Sequence, residues 1–465
     1  MIGTHIARSA ARMARLGASL LALTGAVAAL PATAQGSGLR VGAAKVDITP
    51  PAAELPPTMH GVLDPLNVRA IVIDNGTSRA ALVTVDAGAI PAATWARLSA
   101  RAQAELGIPA AQFLLTATHT HSAPFVRGGD FEERLYDAVR QAAADLQPAR
   151  MAFGTGQSWI NINRNIIDPE TRRWWEGPNY EGPSDKTVAV LRFETPQGAP
   201  IAVYYNYAVH PVITGNLDMI SADIPGAASN YLEESLGEGV VALWSSGASG
   251  DQNPIFFQQT YDLRAIRVAD YAARGEDIAN AMPPGGQGLD RDNPRVQTLL
   301  DQQRRVNESL GLMLAEEVLH VMRDSLQRAQ ANAAIAGANT TVSCPGRRRL
   351  DQGRAGYAGV YEDADPVSMQ LSLLRLGDVV IGGVDGEVFN LIAQRFKRES
   401  PIKNAMMATL TNGMAGTGYI PNDAAFNQYT FEVVSSRLQP GCAETAIVDG
   451  LIDLIDQTDS EGTTP

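Results

Sequence analysis

Short β-branched and aromatic runs alternate along the chain with amphipathic stretches of helical period, which predicts an α/β fold with helices covering a sheet. Strands are expected at 39–46, 68–74, 80–86, 113–117, 151–153, 187–193, 201–207, 240–244, 333–342, 368–376, 379–384 and 405–410. Gly377-Asp378 separates two of them as a tight hairpin turn, so the β-sheet should be mixed rather than purely parallel. After Asp130, Phe131, Leu135, Val139 and Ala142 recur on one helical face. Residues 225–236 and 388–398 repeat the pattern. The longest helix should span 294–328, burying Leu299, Val306, Leu310, Leu314, Val318 and Met322. Residues 255–293 before it are polar and broken by Pro283-Pro284-Gly285-Gly286, either a lid-like insertion over one edge or an irregular excursion.

Several apolar runs end in small and polar residues, where open α/β sheets place their sites. Run 113–117 leads into Thr118-His119-Thr120-His121-Ser122, and run 201–207 into Ala208-Val209-His210-Pro211. Run 240–244 leads into a Ser/Gly-rich turn ending Gly250-Asp251-Gln252-Asn253-Pro254. Run 379–384 leads into Asp385-Gly386-Glu387, and run 405–410 toward Gly418-Tyr419-Ile420. Side chains alternate along extended backbone, so His-x-His sets two imidazoles on one side. A third imidazole and a carboxylate complete a nitrogen and oxygen donor set that Zn²⁺ accepts. His60, in a Pro-rich loop, and His320, on the long helix beside Glu316 and Glu317, read as surface or packing residues. Trp159, Trp174-Trp175 and Phe256-Phe257 either wall an apolar pocket or pack loops against the body.

Composition narrows the picture. The 465 residues are 45% hydrophobic and 19% charged, an ordinary globular balance that allows one large α/β domain with insertions. The net charge of −13, with no basic stripe, argues against nucleic-acid binding. Arg8, Arg12 and Arg15 precede the apolar run 16–30 and the pattern Ala32-Thr33-Ala34, as in a signal peptide over 1–34 cleaved before a mature domain at 35–465. No later stretch is apolar enough to span a membrane. A periplasmic or secreted protein follows. In that oxidising setting Cys344 and Cys442, the sole cysteines, should form a disulfide.

The motifs occur in the order of the neutral/alkaline ceramidase family, which the chain resembles from about Val41 to Glu432. The resemblance rests on Thr118-His119-Thr120-His121-Ser122, Asn161-Ile162-Asn163-Arg164, Asn206-Tyr207-Ala208-Val209-His210, Ser221-Ala222-Asp223, Gly386-Glu387 and Gly418-Tyr419-Ile420. It implies a zinc-dependent amidase that cleaves the N-acyl bond of ceramide. One zinc per chain would be held by His119, His210, Glu387 and Tyr419. His121 and Arg164 would stand near the substrate carbonyl, and Tyr429 is a looser match to a further active-site tyrosine. The chain departs from the family at Asn253, where ceramidases carry a serine given a catalytic role. An amide cannot serve as the alkoxide nucleophile, although it can hydrogen-bond substrate or an oxyanion. Only 33 residues follow Glu432, fewer than the roughly 100 of the immunoglobulin-like C-terminal domain expected in longer members.

The expected mechanism is attack by zinc-activated water, with His121 moving a proton to the leaving nitrogen. Arg164, assisted by Tyr429, would stabilise the oxyanion. Asp251 either orients a ligand histidine or caps the Gly250 turn. Three functions compete: an amidase of N-acyl lipids, a zinc hydrolase of esters or small amides on the same scaffold, and a non-catalytic binding protein.

Overall fold

A computed structural model describes residues 38–461, apart from 124–128, 173, 279–285 and 352–354. The expected signal peptide lies outside the described residues. The strands β1 (Arg40–Asp47), β2 (Asn67–Asp74), β3 (Arg79–Val85), β4 (Phe113–Ala117) and β5 (Gln147–Pro148) form a sheet ordered β4-β3-β2-β1-β5. A second sheet, ordered β11-β10-β9-β6, contains β6 (Arg150–Gln157), β9 (Thr187–Glu194), β10 (Pro200–Tyr207) and β11 (Val241–Ser246). A small sheet joins β12 (Gln252–Pro254), β7 (Asn161–Ile167) and β8 (Trp174–Asn179). The fourth sheet runs β13 (Ile335–Arg349), β14 (Tyr361–Leu376), β15 (Val379–Val384) and β17 (Asn404–Thr409). Finally β16 (Glu387–Val388) pairs with β18 (Tyr419–Ile420).

Both strand directions occur within sheets. The pairs β3–β4, β10–β11 and β15–β17 are parallel, whereas β1–β2, β9–β10 and β14–β15 are antiparallel. The Gly377-Asp378 turn closes β14 onto β15 with Leu376 opposite Val379, and Gly377 takes φ +61°, a conformation open to glycine.

The three larger sheets bury a common core. Val41, Ile71 and Leu82 come from the first, Leu191, Tyr204 and Leu243 from the second, and Leu374, Ile381 and Met406 from the fourth. Helices cover the outer faces: α1 (Ala92–Leu106) and α2 (Gly129–Ala144) the first sheet, α3 (Asp223–Leu236) and α5 (Pro294–Asp324) the second. The fourth carries α6 (Asn390–Glu399) and α8 (Ala443–Glu461). Two shorter features matter below: α4 (Gln258–Ala273) and α7 (Phe431–Ser435). Segment 255–293, expected as either a lid-like insertion or an irregular excursion, therefore begins with a four-turn helix, whose Leu263 packs on Val296 and Leu299 of α5.

Polar stitches hold the sheets in register near their ends. Thr84 Oγ1 donates to the Trp244 carbonyl at 2.6 Å, and Asn206 Nδ2 to the Met407 carbonyl at 3.1 Å. The Leu115 N–H donates to Asn412 Oδ1 at 2.9 Å. Buried hydrogen bonds of this kind are directional, so they fix how the strand ends meet where apolar packing alone would tolerate sliding. Cys344 and Cys442 are disulfide-bonded across a 98-residue separation, tying β13 to the start of α8. No helix among the described residues is long and apolar enough to cross a membrane.

Candidate metal centre and active site

The ends of β4 and β10 and the strand β16 bring together residues that the sequence scatters. His119 Nε2 lies 3.1 Å from His210 Nε2 and 3.2 Å from Glu387 Oε2, and His210 Nε2 is 3.3 Å from the same oxygen. A tetrahedral zinc with donors at 2.0–2.2 Å places them about 3.3 Å apart. The triangle matches one face of such a tetrahedron.

The outer ring nitrogens say which lone pairs point inward. His119 Nδ1 lies 2.7 Å from the Gly88 carbonyl and His210 Nδ1 2.8 Å from that of Ser249. Carbonyls only accept, so each Nδ1 carries hydrogen and each neutral ring offers its Nε2 lone pair to the centre. Two lone pairs and a carboxylate so close together repel unless a cation lies among them. The donor set therefore fits a divalent metal such as zinc.

Protons compete for the same positions. Burial pushes the His210 pKa down to about 4, with the Arg164 charge adding, so this ring is neutral at pH 7. Burial opposes a charge on His119 too, but hydrogen bonding to Glu387 outweighs it and raises the pKa. Burial likewise works against the Glu387 carboxylate, and the two histidines overcome it, holding its pKa well below the usual range.

The backbone explains the precision of the centre. His119 adopts φ +69°, a left-handed conformation that costs a residue with a Cβ about 1–3 kcal/mol and is retained where the surroundings over-determine it. Glu387 is set by the two-residue pairing of β16 with β18, which puts it directly opposite Tyr419. The loop carrying Ser249 approaches from behind. The Gly250 N–H donates to the Val388 carbonyl, and a Cβ on Gly250 would fall 2.7 Å from the Glu387 carbonyl oxygen. Only glycine allows that approach.

Around the triangle stand the remaining candidates. His121 is exposed at the rim, with its ring centroid 5.0 Å from that of His119 and 5.5 Å from that of His210. A ring nitrogen of each of these three histidines lies within 4.8 Å of the others. The atoms packed about the His121 ring disfavour its cation, as do the neighbouring imidazoles, and hold its pKa well below the usual value. Tyr419 is half-buried within hydrogen-bonding reach of Arg164, and enclosure raises its phenol pKa despite the Arg164 charge.

Arg164 is 5% exposed. Its Nε donates to Glu432 Oε1 at 2.6 Å, Nη2 to the Gly250 carbonyl at 2.8 Å and Nη1 to Asn253 Oδ1 at 3.4 Å. Each guanidinium nitrogen thus has a protein partner. Asn253 is bracketed in turn, its Nδ2 donating to Glu176 Oε1 at 2.9 Å. Tyr429 is half-buried with φ +56°, and its carbonyl accepts from the Gly356 N–H. It sits at the root of α7, just before the capping Thr430.

Asp251 does not orient a histidine, since backbone carbonyls occupy both outer nitrogens. Its carboxylate instead accepts from the Asn390 N–H and Nδ2 and from Asn163 Nδ2. His60 is exposed, and the half-exposed His320 pairs with Glu317 and Asp324. No sequence pattern marks Glu432 or Glu176 as part of the site. Nothing in the short α7 pattern Phe-Glu-Val-Val-Ser announces that its acid is fully buried.

An aromatic ladder leads outward from the centre. Tyr419 meets Phe431 edge-on at 5.9 Å, and Phe431 stacks on Trp174 at 6.0 Å. Phe431, Trp175, Trp159 and Phe256 are exposed large apolar side chains.

Similar proteins are found by sequence and by structure. The chain is 29% identical over 258 residues to neutral ceramidase B of Dictyostelium discoideum, covering 47% of this chain and 36% of that protein. It is 29% identical over 284 residues to the neutral ceramidase of Pseudomonas aeruginosa, covering 54% and 41%. A third relative, the neutral ceramidase of Drosophila pseudoobscura pseudoobscura, is 27% identical over 342 residues, covering 63% and 46%. The matched regions thus span between a third and a half of these curated relatives. The fold resembles the crystal structure of the Pseudomonas aeruginosa neutral ceramidase with a TM-score of 0.67 at 17% identity, over 91% of this chain and 75% of that one. A structure described as a ceramidase complexed with C2 gives 0.65 at 18% identity, over 91% and 76%. No family model matches the chain.

Proposed function

Because this chain belongs to the neutral ceramidase family, we propose that it is a zinc-dependent amidohydrolase cleaving the carboxamide of an N-acyl lipid or a related N-acyl compound. The observation that carries this reading is the convergence of the His119 and His210 Nε2 lone pairs on the Glu387 carboxylate at metal-donor spacing. Tyr419, opposite Glu387, is the fourth proposed ligand. When bound, one zinc per chain would supply Lewis acidity and activation of water.

The remaining chemistry belongs to side chains. His121, neutral at pH 7 and open to solvent, accepts a proton from the attacking water and passes it to the leaving nitrogen. Arg164 holds a permanent positive charge behind Tyr419 and Asn253, which favours the oxyanion formed on attack. Tyr429 is a second candidate donor to that oxyanion. Asn253 shapes the pocket wall without forming an acyl-enzyme. The ladder of Tyr419, Phe431 and Trp174 offers an apolar path for an acyl chain. The disulfide supports an oxidising compartment, consistent with export to the periplasm or beyond. Within 255–293, helix α4 is proposed as a cover for the pocket, since it brings Arg264 to 3.8 Å from Glu176.

The locked Asn253 favours a second reading, hydrolysis of esters or small amides on the same scaffold. A panel of N-acylsphingosine, short N-acyl amines and matched esters, read by mass spectrometry for released amine and acid, separates the two. Release of sphingosine and fatty acid, suppressed by a chelator, is expected. Turnover confined to esters or short amides would overturn the lipid assignment.

A further inference from the structure

The buried carboxylate of Asp223 does more than serve the start of a helix. Asp223 is the first residue of α3 rather than its N-cap, and its Oδ1 accepts from the adjacent Ile224 N–H at 2.8 Å, leaving Oδ2 free to face another segment. It adopts φ +56°, a left-handed conformation unfavourable for a residue with a Cβ, and it is fully buried. What this achieves is contact with Thr214. Asp223 Oδ2 accepts from the Thr214 N–H at 2.8 Å and from Thr214 Oγ1 at 2.6 Å. Thr214 Oγ1, its one proton committed to the carboxylate, accepts from Ser122 Oγ at 2.7 Å.

The two ends of this chain lie in different histidine loops. Ser122 follows His121 directly, and Thr214 lies four residues beyond His210. Neighbouring bonds join the same segments. Thr120 Oγ1 donates to the Ser221 carbonyl at 2.7 Å, the Ser221 N–H to the Ser122 carbonyl at 3.1 Å, and the His121 N–H to the Pro211 carbonyl at 3.2 Å. Ser221 and Ala222 are themselves pinned by Asp64, which accepts from Ser221 Oγ and the Ala222 N–H.

We propose that Ser122, Thr214 and Asp223 form a buried positioning relay that fixes the loop of His119 and His121 against the loop of His210, and so sets the spacing of the metal donors. The proposal rests on the metal-site reading given above. Such outer partners hold ligands in geometry, and their loss typically weakens metal binding about 10–100-fold.

Two substitutions divide the hydroxyl from the methyl of Thr214. Thr214→Val keeps the shape and removes the relay, whereas Thr214→Ser keeps the hydroxyl. Zinc affinity is read by competition with a chromophoric chelator. Hydrogen exchange over residues 118–122 is read in metal-free protein. In Thr214→Val, zinc affinity should fall about 10-fold or more and exchange over 118–122 should accelerate, while Thr214→Ser stays within about twofold of the parent on both. Valine matching the parent, or serine as impaired as valine, would overturn the relay. Should Thr214→Val fail to fold, Ser122→Ala severs the same chain at its other end and carries the same expectation. Failure of the parent to take up zinc would sink the metal-site reading, and the exchange comparison would still decide the relay.

Discussion

On the proposed reading, replacing His119 or His210 with alanine should abolish zinc binding and lower amide hydrolysis by about a thousandfold or more. Each ring contributes one of two inward nitrogens 3.1 Å apart. Lewis-acid stabilisation is worth several kcal/mol, and about 4 kcal/mol corresponds to that loss in rate. His121→Ala should behave differently. It stands at the rim, so its removal should leave the metal in place and slow turnover about 10²–10⁴-fold through the lost proton transfer. Metal content by mass spectrometry, measured beside kcat for all three variants, checks the distinction. Equal metal loss in His121→Ala would make it a ligand, and full turnover in any of the three would remove that residue from the site.

Glu432→Ala should destabilise the fold by about 3–5 kcal/mol, far more than a typical surface substitution. Arg164 and Glu432 are joined at 2.6 Å with side-chain exposures of 6% and 0%. Desolvation alone would lower the Arg164 pKa, but the Glu432 charge more than compensates and holds it well above its usual value. Removing the carboxylate leaves a guanidinium cation buried without its counter-charge, which is the expensive half of a buried pair. The damage should reach the centre as well, because Arg164 also holds the Gly250 turn and touches Tyr419. Denaturant unfolding gives the stability change. A loss under about 1 kcal/mol would mean that water reaches Arg164 and that the pair is not buried in solution.

Much of this architecture was legible before the fold was known, and the exceptions have physical causes. The run 113–117 and the hairpin 376–379 stand out because continuous apolar runs and a Gly-Asp turn are local signals. The strands β7 and β8 carry a weak local signal because Asn161–Ile167 has asparagine at every second position through Asn165, and Trp174–Asn179 contains glycine and proline. Their pairing is supported by side-chain bonds such as Asn179 Nδ2 to the Asn165 carbonyl, a tertiary fact. Helix α1 is rich in alanine and arginine and buries only Thr94, Leu98, Ser99 and Ala102, so its apolar stripe is faint. Helix α8 shows a stripe of Ile447, Val448, Leu451, Leu454 and Ile455 at helical spacing, interrupted by Gly450, which lowers the signal.

The site divides along the same line. Histidines at strand ends are conspicuous in a chain with six in all. Glu387 and Tyr419 become partners only through β16–β18 pairing, and the carbonyls of Gly88 and Ser249 leave no trace in side-chain identity. Of the two readings open for Asp251, orienting a histidine fails because the Ser249 carbonyl in the same turn reaches His210 first. The carboxylate is left to join Asn163 to Asn390. Composition gave no hint of Glu432, since a buried acid is chosen by its partner rather than by its neighbours in sequence.

The most direct test is the metal content of the purified protein, measured by mass spectrometry before and after chelation and paired with turnover of N-acylsphingosine. About one zinc per chain is expected, with hydrolysis lost on chelation and restored by added zinc. Undiminished hydrolysis by protein holding no stoichiometric metal would contradict the reading of His119, His210 and Glu387 as a metal centre.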